Sequence, residues 1–186
     1  MAFSYPGYRV QLRPIRRDDV DAIMEWINDE SVTRNFAGMS QKITREQELA
    51  FLDQVMASET DRLYAIEDRE GRYLGNAGVH KIYWPAKNGR LGLVLGDRAS
   101  HGKGLGQEAL RLLVARAFTE LGLHKVWIVH FASNRRMAHL CGKHGFVQEG
   151  VLRDEYFHRG AWHDMVRQSL LAPEFDRASW RPTEEA

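Results

Sequence analysis

The densest chemical signal in the chain is a run of three alternating glycines, Gly102, Gly104 and Gly106, with Lys103 and Leu105 between them and His101 ahead. Glycine lets a backbone come close to a ligand and take conformations closed to other residues. Residues 107–121 follow with helical apolar spacing, so loop N–H groups and the positive end of a helix dipole converge on one point. Phosphate oxygens are the natural occupants of such a point. It is not a Walker loop, because Lys103 precedes a glycine instead of serine or threonine. It is not the dinucleotide fingerprint GxGxxG either, because Gln107 stands where the third glycine belongs.

The elements around this loop can be read from periodicity. Residues 8–13 alternate as a strand, and Asp18 and Asp19 open a helical pattern over 18–28. Residues 31–43 read as a loop. Thr44 with Gln47 forms a capping box for a helix over 44–58. Strands are predicted over 63–67, 73–84 and 91–95, then the glycine loop and its helix. A strand over 125–131, a helix over 134–144 and two strands over 146–157 and 162–171 complete the pattern. Residues 173–186 read as a flexible tail. Helices alternate with strands in one domain over 1–186, which is α/β.

Bulk properties narrow the class. The 186 residues carry 26 basic and 25 acidic side chains, a formal charge of +1. Such a balance offers no electrostatic case for nucleic acid or an anionic membrane. The single cysteine, Cys141, permits no internal disulfide and no multi-cysteine zinc site. No histidine spacing resembles a metal motif, so no metal is expected. With no signal-like start and no long apolar run, the expectation is a cytoplasmic protein with no membrane segment.

Residues 91–146 resemble the GNAT acyltransferase superfamily. Its coenzyme A signature, [Q/R]xxGx[G/A], is matched by His101-Gly102-Lys103-Gly104-Leu105-Gly106, with histidine first. Asn134 to Ala138 and Lys143-His144-Gly145-Phe146 are similar to a second block, NxxAxxxYxKxGF. Glu149-Gly150-Val151-Leu152-Arg153 with Gly160 and Asp164 matches a third, and Leu12-Arg13-Pro14 fits the opening. The branch is the bacterial one of ribosomal-protein N-terminal, spermidine and amino-sugar N-acetyltransferases.

The resemblance implies a mixed sheet of about seven strands flanked by about four helices. It implies acetyl-CoA as donor, its pyrophosphate on the N–H groups from Gly102 to Gly106. The pantetheine arm would pair with the strand carrying Leu93, Val94 and Leu95, where that strand splays from 125–131. Asn134 would contact the cofactor. Lys143 either reaches its phosphates or is a solvated helix charge. The acceptor is a primary amine: a protein N-terminus, a polyamine, an amino sugar or an aminoglycoside-like molecule. The terminal strands imply a homodimer.

Two departures bear on proton transfer. Cys141 stands where many relatives carry the tyrosine thought to protonate the departing thiolate. It could do so as a thiol, or fill the apolar stripe of Met137, Leu140 and His144. Arg90 stands where relatives often have glutamate, and arginine is no base at neutral pH. Glu155 and His80 are then the candidate bases, although the structural or surface reading of each is the commoner one for such residues. Glu25 lies on an acidic rim suited to a cationic amine, although several basic residues intervene. Trp26, Phe36, Trp84 and Tyr156 would line an apolar part of the pocket. The departures also allow a different protein, one that binds acetyl-CoA without turnover as a sensor or interaction module.

Overall fold

Strands β1 (Val10–Pro14), β2 (Arg62–Asp68), β3 (Tyr73–Tyr83), β4 (Asn88–Leu95), β5 (Lys125–Phe131), β6 (Val147–His158) and β7 (Ala161–Leu171) form one sheet ordered β1-β2-β3-β4-β5-β7-β6 in the computed structural model, which describes residues 2–36 and 42–175. Among the described residues five helices accompany it: α1 (Val20–Met24), α2 (Glu30–Thr33), α3 (Arg45–Ala57), α4 (Leu105–Thr119) and α5 (Arg135–Lys143). Every neighbouring pair is antiparallel except β4 and β5, whose crossover is carried by α4.

The sheet buries apolar side chains on both faces. On one face α4 packs Leu110, Leu113, Val114 and Ala117 onto Val10, Leu12, Val79 and Val126. On the other, Ile23, Trp26, Leu52 and Val55 from the α1–α3 side cover Ile15 and Ala65. Strand alternation divides β4 between the two layers, with Leu93 against the α4 core and Val94 against the α3 core.

The parallel pair is short. β4 and β5 pair only at Asn88↔Lys125, Gly89↔Val126 and Arg90↔Trp127. Beyond that point β4 continues on β3 as far as Gly75↔Leu95, and β5 continues on β7 as far as Phe131↔Met165. The two strands therefore part while each stays anchored on its outer side. This is the splay that the resemblance implied.

The first helical region differs from the expectation. Instead of one helix over 18–28, a 3-10 turn at Arg17–Asp19 leads into α1, which ends at Met24. Bonds spanning three residues, from Trp26 N to Ile23 O and from Asp29 N to Trp26 O, tighten the chain there. Asp29 then accepts from Ser31 N at 2.8 Å and starts α2, inside the segment expected to be loop. The α3 start follows the capping box, with Thr44 N donating to Gln47 Oε1 at 2.8 Å and Gln47 N to Thr44 Oγ1 at 3.3 Å.

The first residues of the expected tail are folded. Ala172–Glu174 forms a 3-10 turn, and Phe175 packs on Phe118 with ring centroids 5.2 Å apart. The rest of the expected tail, 176–186, lies outside the described residues. No helix among the described residues is long and apolar enough to cross a membrane.

Candidate functional site

Two features meet at β4: a glycine-rich helix start and a cavity. Gly104 is the N-cap of α4 with φ +81°, and Gly102 has φ +77°. Both values suit glycine and strain other residues. A Cβ at Gly102 would meet nothing within 4 Å, so the backbone there faces open space. The fifteen-residue α4 brings a full helix dipole to the loop. Lys103 is exposed, whereas Leu105 is buried in the core, so Leu105 offers only its backbone. Lys143 crosses from α5 to donate to Gln107 Oε1 at 3.1 Å, which sets its ammonium beside the first turn of α4. Asn134 caps α5 by accepting from Met137 N at 3.1 Å, directly beyond the free end of β5. Arg9, not singled out in the sequence, donates to Glu108 from the first turn of α4 and lies close to Gly104.

The backbone of β4 is poised toward the gap. Val94 O faces Gly75 on β3, and Gly96 N donates to Leu74 O, so these even positions spend their polar groups on β3. Alternation turns Leu93 and Leu95 toward the gap. The Leu95 carbonyl is taken by His101 Nε2 at 2.8 Å. Leu93 remains as the open rung.

On the other face of β4 is a cavity of about 730 Å³ whose floor is Asn76, Gly78, His80, Arg90, Gly92 and Val94. Trp26, Phe36, Glu48 and Phe51 form its roof, and Asp61 lies at one side. Gly78 and Gly92 are a cross-strand pair, and the missing side chain of Gly78 makes room for His80. A Cβ on Gly78 would fall 2.4 Å from His80 Nε2, and one on Gly92 would sit 3.5 Å from it. The imidazole therefore lies flat across the floor toward the parted stretch of β4. Its Nδ1 meets Asp61 Oδ1 at 3.1 Å. A carboxylate only accepts, so Nδ1 carries the hydrogen and Nε2 keeps its lone pair.

Electrostatics keep the imidazole neutral. Burial pushes His80 below its ordinary value; the Asp61 hydrogen bond works against this, and the Arg90 charge adds to it. Burial disfavours the Asp61 charge, but hydrogen bonds from Ser58, His80, Lys81 N and Thr60 outweigh it and hold the carboxyl below the usual range. Glu48 is 4% exposed, and burial pushes its carboxyl up.

The other expected site residues fare differently. Trp26 and Phe36 line the cavity. Trp84 does not: it is exposed beyond β3 and donates its indole N–H to Glu59 O at 3.1 Å. Glu25 is exposed and borders a separate cleft with Arg72 and Asp97. Glu155 is exposed in a β6 bulge, where Asp154 N donates to Asp164 Oδ1 at 2.9 Å, so it does not reach the cavity. Tyr156 packs edge-on against Phe131 at 6.2 Å and also lies outside the lining. Cys141 is fully buried among Phe146 and Leu170, and burial pushes its thiol up to about 12. These surroundings favour packing over proton delivery. Asp61 and Glu48 carried no local sequence signal, because only the β2–β3 register and the seating of α3 bring them here.

Fold and site together define an acyl-group transferase with a coenzyme A slot opened by parted strands. The acetyltransferase (GNAT) domain family matches residues 9–147, and the chain belongs to that family. Spermidine N(1)-acetyltransferase of Escherichia coli strain K12 is 25% identical over 170 residues, covering 91% of this chain and 89% of that protein. The putative ribosomal N-acetyltransferase YdaF of Bacillus subtilis is 30% identical over 107 residues, 58% of each chain. The spermidine N-acetyltransferase structure from Vibrio cholerae, in complex with CoA and spermine, shares the fold with a TM-score of 0.82 at 21% identity, covering 89% of this chain and 97% of that one. The protein is an acetyl-CoA-dependent N-acetyltransferase.

Cys141 provides a direct check on the packing assignment. Cys141→Ala should leave the maximal rate within about twofold from pH 6 to 9 while lowering stability by about 1 kcal/mol, read from acetyl transfer and chemical denaturation. A rate loss of a hundredfold without loss of stability would return the thiol to the mechanism.

Proposed function

We propose that the chain acetylates the primary amine of a small molecule seated in the cavity above β3 and β4, with His80 as general base. The observation that supports this is the Gly78–Gly92 floor, over which His80 Nε2 lies at the residue next to the open rung of β4. The donor's pyrophosphate rests on the N–H groups from Gly102 to Gly106, with Lys143 alongside. Its pantetheine arm pairs with Leu93. Bound there, acetyl-CoA supplies an activated acetyl group as a thioester.

His80 Nε2 accepts the proton that the amine loses as its nitrogen bonds to the acetyl carbon. The carbon–sulfur bond breaks, and the departing sulfur takes a proton from the imidazolium or from water. Asp61 holds the ring in the tautomer this requires and stabilises the positive charge it gains. Holding both reactants against one strand supplies much of the remaining acceleration. This arrangement favours an enzyme over a sensor without turnover. Relatives named for spermidine support a small amine acceptor.

We further propose that β6 pairs with a second copy. It is a sheet-edge strand with Val147 and Val151 exposed, and Phe157 and Trp162 are exposed at its hairpin end. Light scattering on a sized sample should give twice the chain mass, and Trp162→Lys with Val151→Lys should halve it.

Activity against pH tests the base. The His80 value lies below 6.5, so kcat/KM should fall on the acid side with a midpoint under pH 6.5. In His80→Gln that limb should vanish, with a loss of about 100-fold. Asp61→Asn removes the anion that supports the imidazolium, so the limb should move lower while the rate drops about tenfold or more. Acetyl-CoA affinity should hold in both variants. A wild-type rate and pH profile in His80→Gln would refute the assignment.

A further inference from the structure

The fixed charge in the acceptor cavity is arranged for something other than a polycation. Among the described residues its wall carries three cations, Lys42, Lys81 and Arg90, and two carboxyls, Glu48 and Asp61. Asp61 is already committed: it accepts from Ser58 Oγ at 2.8 Å, from Thr60 Oγ1 at 3.1 Å and from His80 Nδ1 at 3.1 Å. None of the three cations has a carboxylate within ion-pair distance among the described residues.

Arg90 is the cation in the reaction path. It is half-buried on the floor, in register with His80, and stands at the last rung before β4 and β5 part. Its guanidinium is charged at any working pH and offers a planar fork of donors suited to carboxylate or phosphate oxygens. A polyamine would bring positive charge along its whole length against this group. Glu48, in the roof, is 4% exposed with no hydrogen-bond partner for its carboxyl among the described residues. Such a buried acid gains from an arriving ammonium.

Resting on the transferase reading above, we propose that the acceptor is a small amine carrying an anionic oxygen group, carboxylate or phosphate, with Arg90 as the residue that binds the anion. The amine approaches His80 Nε2 between Glu48 above and the parted strand below. The anion stays on the Arg90 side of the floor. A cavity of about 730 Å³ accommodates a molecule of amino-acid to dipeptide size.

The test titrates coenzyme A-saturated protein with β-alanine, O-phosphoethanolamine, β-alaninamide and spermidine, and measures kcat/KM for each by thiol release from acetyl-CoA. Wild type should favour the two anionic amines by about tenfold or more over the amide and spermidine. Arg90→Gln should weaken the anionic pair by about ten- to a hundredfold, mainly through KM, and weaken the amide least. Arg90→Lys should recover part of the loss. The stronger of the two anionic probes identifies carboxylate or phosphate. The proposal is overturned if spermidine binds wild type as tightly as β-alanine, if Arg90→Gln weakens all four alike, or if neither anionic probe binds. If the anionic probes bind through Arg90 but no thiol is released, the anion site stands and the transferase reading fails.

Discussion

The β4–β5 ladder stops after Arg90↔Trp127, and the site depends on that stop. A paired β4 would spend the Leu93 backbone on β5, leaving no edge for a ligand. An unsupported β4 would have no fixed edge at all. The structure avoids both by keeping each strand anchored on its outer neighbour, β3 for β4 and β7 for β5. His101 then takes the Leu95 carbonyl and fixes the far end of the opening just before the glycine loop. A single departure from regular pairing thus creates a polar edge, points it at a helix start and limits its length.

The same strand carries the second half of the site on its other face. Val94 packs against the α3-side core and Leu93 against the α4-side core, so in the proposed arrangement donor and acceptor approach β4 from different directions. Gly78 and Gly92 thin the sheet's side-chain layer where they must meet. Their effect on His80 is steric, and the Asp61 contact adds direction. A side chain at Gly78 would lift the ring off the floor, so that glycine determines where Nε2 sits, and Gly92 lies in ordinary contact with the ring.

Much of this was legible in the sequence, for identifiable reasons. The glycine loop, its helix and the capping box at Thr44 are local patterns whose meaning survives folding. The strands of the sheet were readable because alternation and turn residues mark them. The short helix at Glu30–Thr33 was not, since its one signal, the Asp29 cap, lies inside a polar stretch. Asp61 was invisible because it meets a residue nineteen positions away through the β2–β3 register. Glu155 and Trp84 failed for a complementary reason: sequence proximity to a motif does not say which face of a strand or which side of a bulge a side chain takes. Cys141 was ambiguous in sequence, and only its complete burial favours packing.

The central claim is that the freed edge of β4 and the start of α4 form one continuous cradle for coenzyme A. Residue-resolved amide exchange with and without coenzyme A tests it most directly. The account predicts strong new protection at Leu93 and at the amides from Gly102 to Gly106, with Asn88 to Arg90 unchanged because the ladder already protects them. Binding of coenzyme A with no added protection at Leu93 would contradict it.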